Sequence, residues 1–305
     1  MSQAAPVAGD NPESPDRPSL LVTPEWEDYA LVDSGEGWKL ERFGPVLLKR
    51  PEPQALWHAG APERWSDADA VFQPDEGEEK GGWEMADDIA SRWTMAYRGV
   101  RFHAELTSFR HTGVFPEQAV HWDWCDSLIK GADRPVKVLN LFGYTGLASL
   151  LAARAGAEVT HIDASRKAVG WARENQALSG LDDKPIRWIC EDAVKFVERE
   201  VRRGNSYDGI ILDPPKYGRG PKNEVWRFFE STPRLLAGLS QLLSDDALFL
   251  VMTAYAIRMS CLSIRHALVP VVRGRGGWLD YGEMVTRESA AGRLLPQAIY
   301  ARWQA

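Results

Sequence analysis

Beyond residue 135 the chain alternates short, wholly apolar runs with stretches that carry apolar residues at helical spacing. Residues 136–141, 158–162, 186–190, 207–212 and 247–253 read as strands, and residues 145–155, 165–178, 192–203 and 223–243 read as helices. Ser165 is placed to cap the second of these helices. Strands that are apolar on both faces and separated by helices predict a parallel sheet covered on both sides, an α/β architecture. Upstream the period shortens. Residues 29–33 and 45–49 alternate like strands and are punctuated by Gly35, Gly37 and Gly44. Residues 93–106 predict a strand pair turning at Arg98-Gly99, and residues 75–82 form a charged, glycine-ended loop. Residues 1–19 are rich in Ala, Pro, Ser and Asp without an apolar period, which predicts a disordered tail. The pattern divides the chain into a tail (1–19), a small β-rich domain (20–106), a linker (107–135) and an α/β domain (136–305).

Composition changes this picture little. A 305-residue chain with 44% hydrophobic residues can bury a full core. The longest apolar run, 247–257, is well short of the ~20 residues a membrane helix requires, and no charged-then-apolar segment opens the chain, so a cytoplasmic protein is expected. Cys125, Cys190 and Cys261 are too far apart for a zinc spacing, and no metal site is expected.

Charge is more informative. The net charge of -7 is uneven: residues 1–130 hold 12 Lys+Arg against 24 Asp+Glu, while residues 131–305 hold 24 against 19. A basic field over the whole molecule is absent, which argues against tight non-specific nucleic-acid binding and leaves room only for a local basic face. Arg258, Arg265, His266, Arg273 and Arg275 form one such series, to be weighed against an ordinary solvated helix face. Of 13 tryptophans, Trp26, Trp38, Trp57, Trp65, Trp83 and Trp93 fall in the N-terminal region, where core packing is a commoner role than base stacking.

The sharpest chemical feature is Leu141-Phe142-Gly143-Tyr144-Thr145-Gly146, where the first α/β strand ends and a helix begins. Ligands of open α/β sheets bind at the carboxyl ends of strands, and glycine there permits a tight turn and close approach to a ligand. The two glycines lack G-x-G-x-x-G, so a dinucleotide-dependent oxidoreductase is disfavoured. Asp163, at the end of the second strand, can accept hydrogen bonds from both hydroxyls of a ribose. Asp192 ends the third strand, where it can receive an adenine amino group or cap the following helix. At the end of the fourth strand comes Asp213-Pro214-Pro215-Lys216-Tyr217-Gly218-Arg219. Its prolines remove backbone donors, so the carbonyls nearby can face a substrate, and Asp213, the Pro214 carbonyl and the Tyr217 ring suit a planar base.

Together with Asp163-Ala164-Ser165, Trp171-Ala172-Arg173-Glu174-Asn175 and the upstream Thr112-Gly113-Val114-Phe115-Pro116-Glu117-Gln118, these segments resemble the class I S-adenosylmethionine-dependent methyltransferases. Within that class they are similar to the large-subunit ribosomal RNA methyltransferases that modify cytosine or guanine. The resemblance implies a Rossmann-like, doubly wound, mostly parallel seven-stranded sheet beside the smaller β-rich domain. It implies S-adenosylmethionine as cofactor and RNA, of the ribosome, as partner. Gly143, Tyr144 and Gly146 would hold the methionine part, Asp163 the ribose and Asp192 the adenine, with Phe142, Thr145, Ala164, Ala193 and Asp213 as further cofactor contacts. Phe115 and Gln118 would close over the cofactor, while Asp213, Pro214 and Tyr217 would take the methyl acceptor.

Two departures qualify this expectation. Relatives that methylate carbon 5 of cytosine place a cysteine after the fifth strand, where this chain has Thr253-Ala254-Tyr255-Ala256. Without a thiolate to add to the ring, carbon 5 is a poor nucleophile, so a nitrogen or oxygen acceptor is expected. The usual RNA-binding module of the group is also not evident in residues 29–106. A small-molecule or protein methyltransferase, or a non-catalytic cofactor-binding protein, are the alternatives this leaves.

Overall fold

The structure, a computed structural model, describes residues 12–75 and 80–305. Most of the expected tail, residues 1–11, and the centre of the charged loop, residues 76–79, lie outside the described residues.

The α/β part contains strands β9 (Lys137–Leu141), β10 (Glu158–Asp163), β11 (Ile186–Cys190), β12 (Gly209–Leu212), β15 (Phe249–Ala254), β16 (Trp278–Arg287) and β17 (Leu294–Gln304). They join one sheet in the order β11-β10-β9-β12-β15-β17-β16, in which β17 alone runs against the others. Seven is the number the resemblance implies; the apolar pattern places five of them and leaves β16 and β17 unassigned. An eighth, β1 (Ser19–Val22), adds in parallel to the free edge of β16. Residues 12–19 belong to this edge rather than to a loose tail: Glu13 N donates to Gly277 O at 2.9 Å and Ser14 Oγ to Leu279 O at 2.8 Å.

Successive residues of a strand face opposite sides, and the two sides are covered differently. Leu139, Leu141, Ile210, Leu212, Leu250 and Met252 meet helices α4 (Ala193–Arg203), α5 (Phe228–Leu242) and α6 (Cys261–Leu268). Val138, Ile211, Phe249 and Val251 meet α1 (Ala119–Lys130) and α2 (Leu147–Arg154). Helix α3 (Arg166–Leu178), capped by Ser165 Oγ as expected, flanks α2. Helix α1 lies within the expected linker and buries His121, Trp122, Cys125 and Ile129, because it belongs to two cores at once.

The second of those cores joins the β-rich part to the rest. Strands β2 (Tyr29–Gly35), β3 (Trp38–Phe43), β4 (Val46–Pro51), β5 (Ala70–Pro74) and β6 (Gly81–Met85) form one sheet. Strands β7 (Arg92–Tyr97) and β8 (Val100–Glu105) form a hairpin whose turn residues, Arg98 and Gly99, both have positive φ (48° and 82°). Such two-residue turns match the twist of the strands they join. Phe43, Leu48, Met95 and Phe102 from this part pack with Trp122 of α1 and Leu147, Leu150 and Leu151 of α2. The tryptophans mostly serve this packing: Trp26 is core, while Trp57, Trp65 and Trp83 donate their indole N–H to Ser34 O, Asp33 and Thr107 O. Two buried carboxylates are paired, Glu41 with Arg50 at 2.6 Å and Asp33 with Arg293 at 3.2 Å. A short antiparallel hairpin, β13 (Tyr217–Arg219) with β14 (Val225–Arg227), replaces the beginning of the helix expected over 223–243.

Candidate active site

Strand β9 has β10 on one side and β12 on the other, so the crossover direction reverses there and the loops after these strands frame a crevice. A cavity of about 430 Å³ occupies it. Phe142, Gly143, Tyr144 and Thr145 form one wall, with Phe142 and Tyr144 held at positive φ (58° and 49°). The glycines have structural causes of their own. A Cβ on Gly143 would lie 2.3 Å from His161 Cε1, and one on Gly146 would lie 2.8 Å from Ala172 Cβ. Beneath the turn, Asn140 Nδ2 donates to Ser149 Oγ at 2.9 Å, and Ser149 Oγ lies 3.0 Å from His161 Nδ1. Burial drives the His161 pKa down to about 3, so this ring is neutral. Gly146 is not on the cavity wall; it opens α2 at φ 87° behind the turn. Thr145 faces the cavity but is almost fully buried, and its Oγ1 donates to Gly113 O at 2.6 Å, tying the upstream segment onto the turn.

The acidic residues at the strand ends are partly engaged by backbone. Asp163 accepts from Tyr144 N at 2.9 Å and from Ser165 N at 2.8 Å, and burial raises its pKa. Asp192 caps α4 by accepting from Lys195 N at 3.0 Å, and also lines the cavity beside Ala193. Ala164 lines it next to Asp163. Each carboxylate oxygen carries two lone pairs, so both groups retain accepting capacity toward the cavity.

Asp213 lies on the cavity wall opposite the upstream segment. One carboxylate oxygen accepts from Thr253 Oγ1 and the other from Gln118 Nε2 at 3.1 Å, while burial raises its pKa against these bonds. Gln118 also donates to Thr253 Oγ1 at 3.1 Å, so it ties the covering segment to the ends of β12 and β15. Phe115 stands beside Tyr144, ring centroids 5.7 Å apart. Of the two proline carbonyls, that of Pro215 accepts from Trp226 Nε1 at 2.6 Å. Pro214 O accepts from no described residue, and Pro214 lines the cavity. Tyr217 does not converge with them. It is 51% exposed and absent from the wall, because β13 alternates and turns its ring outward.

Several cavity residues were not singled out by the sequence pattern: Glu117, Trp226, Lys216, Arg219 and Tyr255. Glu117 is the most distinctive. Its buried carboxyl is pushed up to about 7, chiefly by desolvation and further by the Asp213 and Glu41 carboxylates, with Lys39 opposing. The basic series is dispersed: Arg265 donates to Ser14 Oγ and Arg275 to the carbonyls of Leu243 and Ser244, leaving Arg258, His266 and Arg273 exposed. Cys261 begins α6, and no cysteine among the described residues lines the cavity.

A doubly wound sheet with a ligand cavity at its switch point, walled by a glycine turn and three strand-end carboxylates, defines the class. The chain belongs to the S-adenosylmethionine-dependent methyltransferases, whose family model matches residues 57–258. It is an enzyme of that class, and S-adenosylmethionine is its cofactor. The volume lies within the roughly 300–1,000 Å³ of small-molecule sites, and the accepting carboxylates, backbone groups and aromatic rings of its wall fit the cofactor's hydroxyl, amino and apolar groups.

Among solved structures, an S-adenosylmethionine-dependent methyltransferase from Agrobacterium tumefaciens is 48% identical, with a TM-score of 0.93 over 99% of this chain and 98% of that one. Curated relatives include ribosomal RNA large subunit methyltransferase K/L of Shewanella frigidimarina, 35% identical over 150 residues. Ribosomal RNA large subunit methyltransferase I of Shewanella denitrificans is 33% identical over 120 residues. These matches take in 48% and 39% of this chain but only 20% and 29% of the relatives' own lengths.

Proposed function

We propose that the chain methylates a nitrogen or oxygen of a base in RNA, with ribosomal RNA as the substrate, in the cytoplasm. The supporting observation is the floor around Asp213, where Thr253 and Gln118 orient the carboxylate and, among the described residues, the Pro214 carbonyl has no donor and no cysteine lines the wall. That wall suits an amino or imino group with hydrogen-bond donors. It lacks the thiolate that carbon 5 of a pyrimidine requires. The names of the curated relatives favour ribosomal RNA as the acceptor.

When bound, the cofactor supplies an electrophilic methyl group on a sulfonium sulfur. In this reading the turn at Gly143, Tyr144 and Thr145 holds its methionine part, Asp163 with Ala164 the ribose hydroxyls, and Asp192 with Ala193 the adenine. Gly146 keeps the turn in place from behind. Phe115 and Gln118 cover the site and exclude water, while Asp213 and the Pro214 carbonyl accept hydrogen bonds from the acceptor base. Holding a lone pair in line with the methyl–sulfur bond contributes through proximity and orientation, an effect worth roughly 7–11 kcal/mol in well-oriented intramolecular reactions.

Mass-spectrometric nucleoside analysis of ribosomal RNA tests this reading. Deleting the gene should remove one methylated nucleoside, which the wild-type chain restores and Asp213→Asn does not. An unchanged nucleoside profile, with methyl transfer found on a protein or small molecule instead, refutes it.

A further inference from the structure

The hairpin β13–β14 projects from the cavity mouth, and the roles proposed above leave its outer face unused. Directly opposed residues of an antiparallel pair share a face, and successive residues alternate. The pairs are Tyr217 with Arg227, Gly218 with Trp226, and Arg219 with Val225. One face therefore carries Gly218 and Trp226, and the other carries Tyr217, Arg219, Val225 and Arg227. The inner face is fixed: Trp226 is 4% exposed, packs on Phe142 with ring centroids 4.8 Å apart, and donates to Pro215 O. This anchoring turns the opposite face to solvent, with Tyr217 51% and Val225 46% exposed.

The charge on this face is one-sided. Arg227 pairs with Glu230 at 3.3 Å, and the hairpin's own acid, Glu224, is taken up by Lys195 at 2.7 Å. Arg219 on this face, Lys222 in the turn and Lys216 just before β13 are exposed and form no ion pair among the described residues. Lys216 and Arg219 also line the cavity mouth. Thus a chain of net charge -7 keeps unpaired cations interleaved with an outward tyrosine beside its reaction cavity. Aromatic faces among cations are how proteins hold unpaired nucleotides, the ring stacking on a base and the cations meeting phosphates.

We infer that the outer face of this hairpin docks the single-stranded RNA that delivers the methyl acceptor, Tyr217 stacking on a base beside the acceptor while Lys216, Arg219 and Lys222 meet phosphates. The inference rests on the RNA reading above. A base must leave its stack to enter a cavity, so its neighbours are unpaired and open to such a platform. Tyr217 thereby acts on the neighbouring nucleotide outside the cavity and not on the acceptor within it.

The test is fluorescence anisotropy of the full chain, saturated with S-adenosylhomocysteine, against labelled single-stranded RNA oligonucleotides tiling the large ribosomal RNA, with duplexes of the same sequences in parallel. Tyr217→Ala should weaken single-strand binding roughly 5- to 100-fold, and Tyr217→Phe should stay near wild type. Lys222→Glu should lower the slope of log affinity against log salt by at least about 0.7. Neither Tyr217 nor Lys222 lines the cavity, so calorimetry with S-adenosylhomocysteine verifies that each variant is folded. Single-strand binding unmoved by Tyr217→Ala and Lys222→Glu overturns the docking surface and leaves the RNA reading intact. Tighter binding of duplexes than of single strands overturns the stacking role. A wild-type chain that binds no RNA, or binds an acidic peptide in its place, removes both.

Discussion

The imidazole of His161 occupies the space beside Gly143 that any side chain would need, 2.3 Å from the position of a Cβ there. The glycine turn is thus set by the buried Asn140–Ser149–His161 group beneath it.

Gly143→Ala should therefore destabilise the fold by about 1–3 kcal/mol, the usual cost of overpacking, and should weaken S-adenosylhomocysteine binding because the turn must lift. Gly170→Ala in α3, where a Cβ meets nothing within 4 Å, should instead be neutral or stabilising by up to about 1 kcal/mol. Denaturant melts and calorimetry of the two variants check this contrast. Equal behaviour would show that the turn tolerates a side chain.

Asp163→Ala should lower cofactor affinity by on the order of 1.5–3 kcal/mol, the scale of hydrogen bonds to a charged group. Because Asp163 also accepts from Tyr144 N and Ser165 N, some of the loss should appear as reduced stability without ligand. Calorimetry and thermal melts separate the two. Unchanged affinity removes Asp163 from the ribose site.

Asp213→Asn should reduce kcat far more than it changes the Kd for S-adenosylhomocysteine, since the side chain's partners are Thr253 and Gln118 and, in the proposed reading, its open side takes the acceptor. Single-turnover methylation beside cofactor titration reads both quantities. An equal loss in each would reassign Asp213 to the cofactor.

Glu117 gives a pH dependence with a definite sign. Its carboxyl is raised from an ordinary 4.5 to about 7 by burial, so below pH 4.5 folded and unfolded chains both hold the proton. Between those values the unfolded chain releases its proton while the folded chain keeps it, and stability falls until pH passes the folded value. The total is on the order of 3 kcal/mol. Glu117→Gln should therefore be indistinguishable from wild type near pH 4 and more stable near pH 8 in urea unfolding. The same difference at both pH values would mean that Glu117 does not titrate in this window.

Much of the site was legible because it sits where strand ends and glycines punctuate a strong period: Gly143, Asp163, Asp192 and Asp213 all follow apolar strands. What was missed depends on packing between distant segments. Glu117 reads as a surface acid until the β-rich part and the Asp213 wall close around it. Tyr217 adjoins Asp213 in sequence, but the alternation of β13 turns it away, and three-residue strands are too short to announce themselves against a helical window. Strands β16 and β17 were obscured by Gly282 and by Pro296, which pairs Val285 at a register shift. Nothing in residues 19–22 hints at their partner.

That partner has a consequence for the order of assembly. Leu20 and Leu21 pair with Glu283 and Met284, and the hydroxyls of Thr23 and Thr286, 263 residues apart, lie 2.8 Å from each other. As the chain leaves the ribosome, β1 emerges long before the edge it must join and cannot seat until β16 has been made and has paired with β17. The loop it closes is very long, so this pairing should follow nucleation elsewhere. Ser19–Val22 then acts as a latch fastened late, and the exposed rim of β16 is covered against strand exchange with another molecule only after β16 and β17 have been made and paired.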